Sequence, residues 1–109
     1  MVVYIGGPMR GIECFNFPAF DRARDRITSL GHIVISPADL DRQSGFSGIE
    51  PDVPDARECM LRDLHAIADS ADAVALLPGW ERSRGAAVEV AFAAYLGLPI
   101  LDSDTLEPL

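Results

Sequence analysis

The sequence predicts a doubly wound parallel α/β fold, Rossmann-like or flavodoxin-like, with one sheet between two layers of helices. Short apolar runs alternate with longer segments of helical periodicity along the chain, and the run at residues 73–77 is apolar throughout. Strands of parallel sheets are buried on both faces and read in this way, and the alternation is typical of βαβ units with right-handed crossovers. We expect a three-layer α/β/α arrangement with four or five strands, in a single domain over residues 1–109.

The first half of the chain predicts one βαβ unit. Residues 2–5 read as a strand and residues 18–30 as a helix, and a second strand at 33–36 follows the helix-stop signal of Gly31. The next stretch, 37–55, is polar and rich in Gly, Pro, Ser and Asp. It is too long for a plain connection, so we predict a functional loop or lid over the edge of the sheet.

The second half predicts two further helices and two further strands. Apolar residues recur with helical spacing over residues 56–70, and residues 72–77 read as a buried parallel strand. A last long helix follows the Ser-Arg-Gly segment that starts at Ser83, and a short strand at 99–101 completes the domain. No internal repeat or low-complexity linker interrupts this order.

Composition excludes several classes of function. The formal net charge is −8, which argues against a nucleic-acid polymer as partner, because binding a phosphate backbone needs a basic face. Cys14 and Cys59 form no CxxC motif, which favours ordinary thiols in a reducing compartment over a zinc site or a disulfide framework. The N-terminus starts a strand without a basic region or a long apolar run, so we expect a cytoplasmic protein that neither spans nor contacts a membrane.

Glu89 is the first candidate for a reacting group. It lies one turn inside the helix that follows the third strand, at the sheet edge where open α/β folds bind ligands. A helix N-terminus there favours anions and stabilises an ionised carboxylate. Its neighbours Val88, Val90 and Ala91 are apolar, which indicates a partly desolvated catalytic group, whereas the alternative is a solvated glutamate on an amphipathic helix.

A glycine-rich turn, residues 6–11, follows the first strand and is a candidate phosphate cradle, with Arg10 supplying charge. It is neither a Walker A motif nor a G-x-G-x-x-G dinucleotide motif, because no Gly-Lys-Ser/Thr follows and Pro8 interrupts the glycines. Simple turn formation is the alternative. Ser83, just before the last long helix, could bind a phosphate, cap the helix, or do both.

Asp63 occupies the middle of a helix, where aspartate is a poor helix former, and the apolar residues Leu61 and Leu64 flank it. A functional role competes with a structural ion pair to Arg57 or Arg62. The two histidines have no acidic or cysteine partners at ligand spacing, so we predict no metal site. The aromatic residues near the same edge could stack on a base or fill the core; they are Phe15, Phe17 and Trp80.

Taken together, these segments resemble the nucleoside 2-deoxyribosyltransferase superfamily over nearly the whole chain. Within it, the chain is similar to the deoxynucleoside 5'-monophosphate N-glycosidases and to a small branch frequent in phage genomes. The matching segments occur in the same order and comprise residues 4–11, 62–64, 71–74, 83–89 and 97–100. Each segment is short, and it is their combination in register that is specific.

The resemblance implies an N-glycosidase or deoxyribosyltransferase without metal or organic cofactor. Glu89 would attack the anomeric carbon and form a glycosyl-enzyme intermediate, Asp63 would handle protons at the base or hold the sugar hydroxyls, and Tyr4 would position the nucleophile. The resemblance assigns substrate binding, chiefly of a 5'-phosphate, to a further set of residues: Gly7, Arg10, Gly11, Ser83 and Gly85. It also implies a homodimer or larger homo-oligomer, in which a neighbouring subunit completes the site.

Two departures from the family pattern bear on the substrate. Pro8 replaces a phosphate-binding serine of the monophosphate hydrolases, whereas Ser83 replaces an aspartate that contacts the free 5'-hydroxyl in the transferases. Arg10 and Ser83 together favour a nucleoside 5'-monophosphate. The alternative hypothesis is a catalytically silent module that senses or sequesters a nucleotide in the same cleft.

Overall fold

A computed structural model describes residues 1–109. Four parallel strands form one sheet in the order β2-β1-β3-β4. Their bounds are Val2–Gly6 for β1, Ile33–Ile35 for β2, Ala73–Leu76 for β3 and Ile100–Asp102 for β4. β1 and β3 are paired from Val3 and Ala73 to Gly6 and Leu76, so both strands end at the same place. The predicted parallel sheet is confirmed, with four strands out of the predicted four or five.

Four α-helices connect the strands: α1 spans Phe17–Ser29, α2 spans Pro37–Gln43, α3 spans Ala56–Ser70 and α4 spans Arg84–Tyr95. A 3-10 turn at Trp80–Arg82 precedes α4, and a turn at Glu13–Asn16 precedes α1. None of the helices combines the length and apolarity that crossing a membrane requires.

The core divides into two clusters, one on each face of the sheet, because alternate residues of a strand face opposite sides. On one face Val3 and Ile5 of β1 pack with Phe20 and Ile27 of α1. On the other face Tyr4 of β1 packs with residues of α3 and α4, chiefly Ile67 and Ala93. The three-layer α/β/α architecture follows from this division, and it brings Tyr4 to the side of α3 and α4.

The prediction of a loop over residues 37–55 is wrong for its first part, where α2 forms. Ser36 is the N-cap of this helix and Pro37 occupies its first turn, where a missing N–H costs nothing and the fixed φ suits a helix. The abundance of Gly, Pro and Ser in the whole segment obscured this local start signal. Within residues 37–55, only residues 44–55 are without helix or strand.

Residues Cys14, Phe15 and Asn16 have positive φ angles of 53°, 55° and 59°. Three consecutive non-glycine residues in this left-handed region are unusual, since each costs about 1–2 kcal/mol relative to the right-handed form. Two contacts hold this left-handed turn: the Phe15 ring packs edge to face against Phe46, with centroids 5.0 Å apart, and Asn16 Nδ2 donates to the Pro8 carbonyl at 2.8 Å. The turn directs Phe15 inward, into the core cluster that contains Val3 and Ile5 of β1.

Candidate active site

A cavity of about 510 Å³ lies at the carboxyl ends of β1 and β3. Here the strand order reverses, because α1 leads from β1 to its neighbour on one side and α3 leads back to β3 on the other. Open α/β sheets bind ligands at such a reversal. The walls come from the β1–α1 connection, α2, α3 and the start of α4. The volume is within the range of small-molecule sites.

Glu89 lies in the second turn of α4 and is only 5% exposed, although it lines the cavity. Tyr4 Oη, fully buried on β1, donates a hydrogen bond to Glu89 Oε2 at 2.6 Å. Gly6 makes room for the carboxylate, since a Cβ at this position would lie 3.3 Å from Glu89 Oε1. Glu89 is therefore a buried carboxylate in a fixed position, as opposed to a solvated residue on the helix surface.

Asp63, on α3, is 7% exposed and lines the same cavity. Arg62 Nε and Nη2 each donate to Asp63 Oδ1 at 2.9 Å, and Arg62 Nη1 donates to Asp41 Oδ1 at 2.9 Å. The predicted ion pair between Asp63 and Arg62 is confirmed, whereas Arg57 takes no part in it. One guanidinium thus connects two buried carboxylates from different helices.

Burial raises the pKa of Glu89 to about 8, with the Tyr4 hydrogen bond opposing this rise and the neighbouring charge of Asp63 adding to it. The pKa of Asp63 is also raised, mainly by burial and against the attraction of Arg62. Burial raises the pKa of Tyr4 well above its usual value, and the carboxylate of Glu89 adds to this effect, so Tyr4 remains a donor. The pair of carboxyl groups therefore retains a proton at neutral pH.

The mouth of the cavity is basic. All nine basic residues of the chain are arginines, and three of those that line the cavity make no ion pair and are exposed: Arg10, Arg82 and Arg84. Arg82 and Arg84 flank the start of α4, where Ser83 Oγ accepts from the Ala86 amide at 3.1 Å as a helix cap. The cap predicted at Ser83 is confirmed.

Arg10 belongs to the glycine-rich turn and also lines the cavity. Its Nη2 donates to the Pro54 carbonyl at 2.7 Å, and its guanidinium lies 5.5 Å from the centroid of the Phe15 ring. These contacts connect the glycine-rich turn to the segment before α3. A role in binding a phosphate would require Arg10 to give up or share these contacts.

The structure brings together most of the residues that the sequence and the resemblance selected. Six of them line the cavity: Gly7, Arg10, Asp63, Ser83, Gly85 and Glu89. Tyr4 does not line it but donates a hydrogen bond to Glu89. Gly11 is not among them: it is exposed, with a φ of 81° and open space around its Cα. The glycine at this position serves the turn.

The sequence reasoning missed Asp41, which lies on the unpredicted helix α2 and is 2% exposed. A correct prediction of α2 from Ser36 and Pro37 would have placed it at the same sheet edge as Asp63. Phe15 belongs to both alternatives for the aromatic residues, because it is part of the core and also lines the cavity. Phe17 is a core residue and Trp80 packs against the second core cluster.

The fold and the cavity define a parallel α/β protein with a buried carboxylate pair at the reversal point of its sheet. The chain belongs to the family described as domain of unknown function DUF4406, whose family model matches residues 1–102. The match includes all four strands and every residue of the cavity. A comparison with curated proteins found no match.

Proposed function

We propose that this protein cleaves the N-glycosidic bond of a nucleoside or deoxynucleoside 5'-monophosphate through a covalent bond between Glu89 and the sugar. The observation that carries the proposal is the position of the Glu89 carboxylate. It is buried, it accepts a hydrogen bond from Tyr4, and it lies next to a second buried carboxyl group, that of Asp63. Retaining glycosidases need this combination of one carboxylate nucleophile and one carboxyl acid. The resemblance to the deoxyribosyltransferase superfamily independently selects the same residues.

The first step needs an ionised Glu89 and a proton for the leaving base. Because the pKa of Glu89 is about 8, the resting pair carries one proton near neutral pH. Transfer of this proton to Asp63 leaves Glu89 ionised. The Glu89 carboxylate then bonds to the anomeric carbon, the bond from that carbon to the base nitrogen breaks, and Asp63 protonates the base.

The second step restores the resting pair. The Asp63 carboxylate takes a proton from water, the resulting hydroxide oxygen bonds to the anomeric carbon, and Glu89 leaves as a carboxylate. Asp63 then holds the proton with which the cycle began. With a second base as acceptor in place of water, the same geometry gives transfer.

The start of α4 supports recognition of a phosphate. Its backbone amides carry a partial positive charge, and Arg82 and Arg84 add two full charges without carboxylate partners. Ser83 and Gly85 lie between and beside them on the cavity wall. A small anionic group fits this local charge on a chain whose net charge is −8.

A catalytically silent nucleotide-binding module is the second candidate. The same raised pKa favours it, since a Glu89 that stays protonated at neutral pH is a poor nucleophile. In such a module the cavity would bind a nucleotide and release it unchanged. Measurement of turnover and of binding on one protein sample separates the two functions.

We propose that the protein acts in the cytoplasm. We also propose that a second copy of the chain covers α4. The outer face of α4 is apolar, with Val88 46% exposed and Tyr95 86% exposed, and Leu61 of α3 lies exposed as well. Val88 also lines the cavity, so a second copy on this face would border the site. Sedimentation of wild type and Tyr95→Asp tests this: a dimer that the substitution dissociates supports it, and a wild-type monomer refutes it.

The proposed activity is tested by chromatographic detection of free base from a panel of ribo- and deoxyribonucleosides and their 5'-monophosphates. Glu89→Gln should abolish release, by at least about a thousandfold, because it removes the nucleophile. Glu107→Gln, an exposed glutamate far along the chain, serves as the matched control. No release from any compound, with nucleotide binding retained, would favour the binding module.

A further inference from the structure

Asp41 is a third buried acidic side chain at the cavity, in addition to the carboxyl pair of the proposed reaction. It lies on α2 and its Oδ1 accepts from Arg62 Nη1 at 2.9 Å, with Cys59 Sγ 3.9 Å away. Its carbonyl oxygen accepts from the amides of Ser44 and Phe46 at 3.0 Å. Both ends of the residue are therefore fixed.

The other carboxylate oxygen, Asp41 Oδ2, accepts no hydrogen bond from the protein. Two side-chain oxygens are fully enclosed without a hydrogen-bond partner, Ser36 Oγ and Ser103 Oγ. Asp41 Oδ2 also lacks a partner but is not one of these two, so it is not fully enclosed. Asp41 is one of the residues that line the cavity, and Oδ2 is its one carboxylate oxygen without a donor. A carboxylate oxygen can only accept, and a nearly buried one without a donor is costly. A ligand that supplies a donor would remove this cost.

The strand order gives the position of Asp41 relative to the other parts of the site. The connections that follow β2, β1 and β3 lie side by side in that order along the sheet edge. Asp41 follows β2 and Ser83 follows β3, so the connections that carry them lie on either side of the connection that follows β1. Tyr4, on the central strand β1, holds Glu89 between them.

A nucleotide with its phosphate at the start of α4 and its anomeric carbon at Glu89 extends its base toward α2. We propose that Asp41 determines base specificity by accepting a hydrogen bond from the exocyclic amino group of a 4-aminopyrimidine or a 6-aminopurine. This inference rests on the proposed binding of a nucleotide in the cavity. A carbonyl oxygen in place of the amino group would face the carboxylate oxygen and be repelled.

The test compares kcat/KM for dCMP with dUMP and for dAMP with dIMP, since an amino group is exchanged for an oxo group within each pair. We expect wild type to prefer the amino compound by roughly 10- to 100-fold. In Asp41→Asn the amide oxygen can still accept from Arg62 while the NH2 group donates toward the cavity. The preference should then disappear or invert.

Asp39→Asn is the matched control on the same helix. Asp39 pairs with Arg24 and Arg42 and does not line the cavity, so the amino-to-oxo ratio should stay at the wild-type value. Equal kcat/KM for both members of each pair in wild type would overturn the inference. So would an Asp41→Asn variant that loses activity equally on both members, because that is the effect of a structural role.

Binding of the same four nucleotides to Glu89→Gln provides a readout that needs no turnover. If wild type releases no base but binding still favours the amino compounds in an Asp41-dependent way, the proposed activity fails and the inference about Asp41 stands. If base is released without amino preference, the activity stands and the inference fails. Absence of any nucleotide binding overturns both.

Discussion

Tyr4 Oη donates to Glu89 Oε2 at 2.6 Å across a sequence separation of 85 residues. Strand β1 and helix α4 meet here because β1 and β3 are paired and α4 follows β3 directly. The hydrogen bond opposes the rise that burial causes in the pKa of Glu89. The central strand thus controls the protonation of the residue that we propose as nucleophile.

Tyr4→Phe should raise the pKa of Glu89 further above about 8, because burial remains and the donor is lost. Titration of the Glu89 side-chain carboxyl by NMR measures this directly. Base release, where present, should fall roughly 10- to 100-fold at neutral pH and its profile should shift toward alkaline pH. Tyr95→Phe, which removes an exposed hydroxyl but keeps the aromatic ring at the proposed interface between copies, is the control and should change neither. An unchanged Glu89 titration in Tyr4→Phe would contradict the argument.

Glu89→Gln should make stability less dependent on pH. The pKa of Glu89 is about 8 in the folded protein, against an ordinary value of 4.5, so the folded state binds more protons between these two pH values. Wild type therefore loses stability as the pH rises from about 4.5 through about 8. The variant should match wild type near pH 4.5 and exceed it by a few kcal/mol at pH 9, as measured by urea unfolding. Parallel curves for the two proteins would rule out a buried Glu89 with a raised pKa.

Arg62→Met should destabilise the protein by about 3–5 kcal/mol at pH 7.5, since it leaves two buried carboxylates without their shared partner. The loss of Arg62 should raise the pKa of Asp63 further, because the guanidinium now opposes the effect of burial. The penalty belongs to the ionised carboxylate and should shrink as the pH falls toward 4. Arg57→Met, on the exposed side of the same helix, should have little effect at either pH. Equal destabilisation by both variants would argue that helix α3 simply tolerates methionine poorly.

Two glycines of the cavity wall should respond differently to alanine. A Cβ at Gly7 would lie 2.8 Å from Leu77 Cβ, an overpacked contact that costs about 1–3 kcal/mol. At Gly85 the nearest atom is Met60 Cε at 3.6 Å, an ordinary contact, and alanine favours the helix. Thermal unfolding should show a lower Tm for Gly7→Ala and an unchanged or higher Tm for Gly85→Ala. The opposite order would contradict the packing at the end of β1.

Cys14→Gly should stabilise the left-handed turn by up to about 1 kcal/mol, because glycine adopts a positive φ at little cost while it adds entropy to the unfolded chain. Cys14→Ala keeps the strain and should bring no gain. The difference between the two variants in urea unfolding isolates the backbone effect from the loss of the thiol. Identical stabilities would mean that this turn stores no strain.

Local patterns were sufficient to predict most of the fold. Helix α3 has the predicted bounds, residues 56–70, because its apolar spacing and its cap at Asp55 are both local signals. Helix α2 was missed because a short helix start was outweighed by the turn-forming composition around it. The hydrogen bond from Arg10 to the Pro54 carbonyl could not be predicted from the sequence, since it depends on the conformations of two irregular segments. The pairing of Asp41 with Arg62 required α2 first.

The absence of lysine at the mouth of the cavity has an electrostatic consequence. Guanidinium groups remain charged throughout the accessible pH range, whereas the carboxyl pair beneath them gains negative charge as the pH rises through about 8. The negative field of the carboxyl pair therefore strengthens with pH, while the positive field of the arginines at the mouth stays constant. In alkaline solution, a ligand with one negative and one positive end would be held more firmly in a single orientation. At mildly acidic pH, only the attraction for its anionic end would remain.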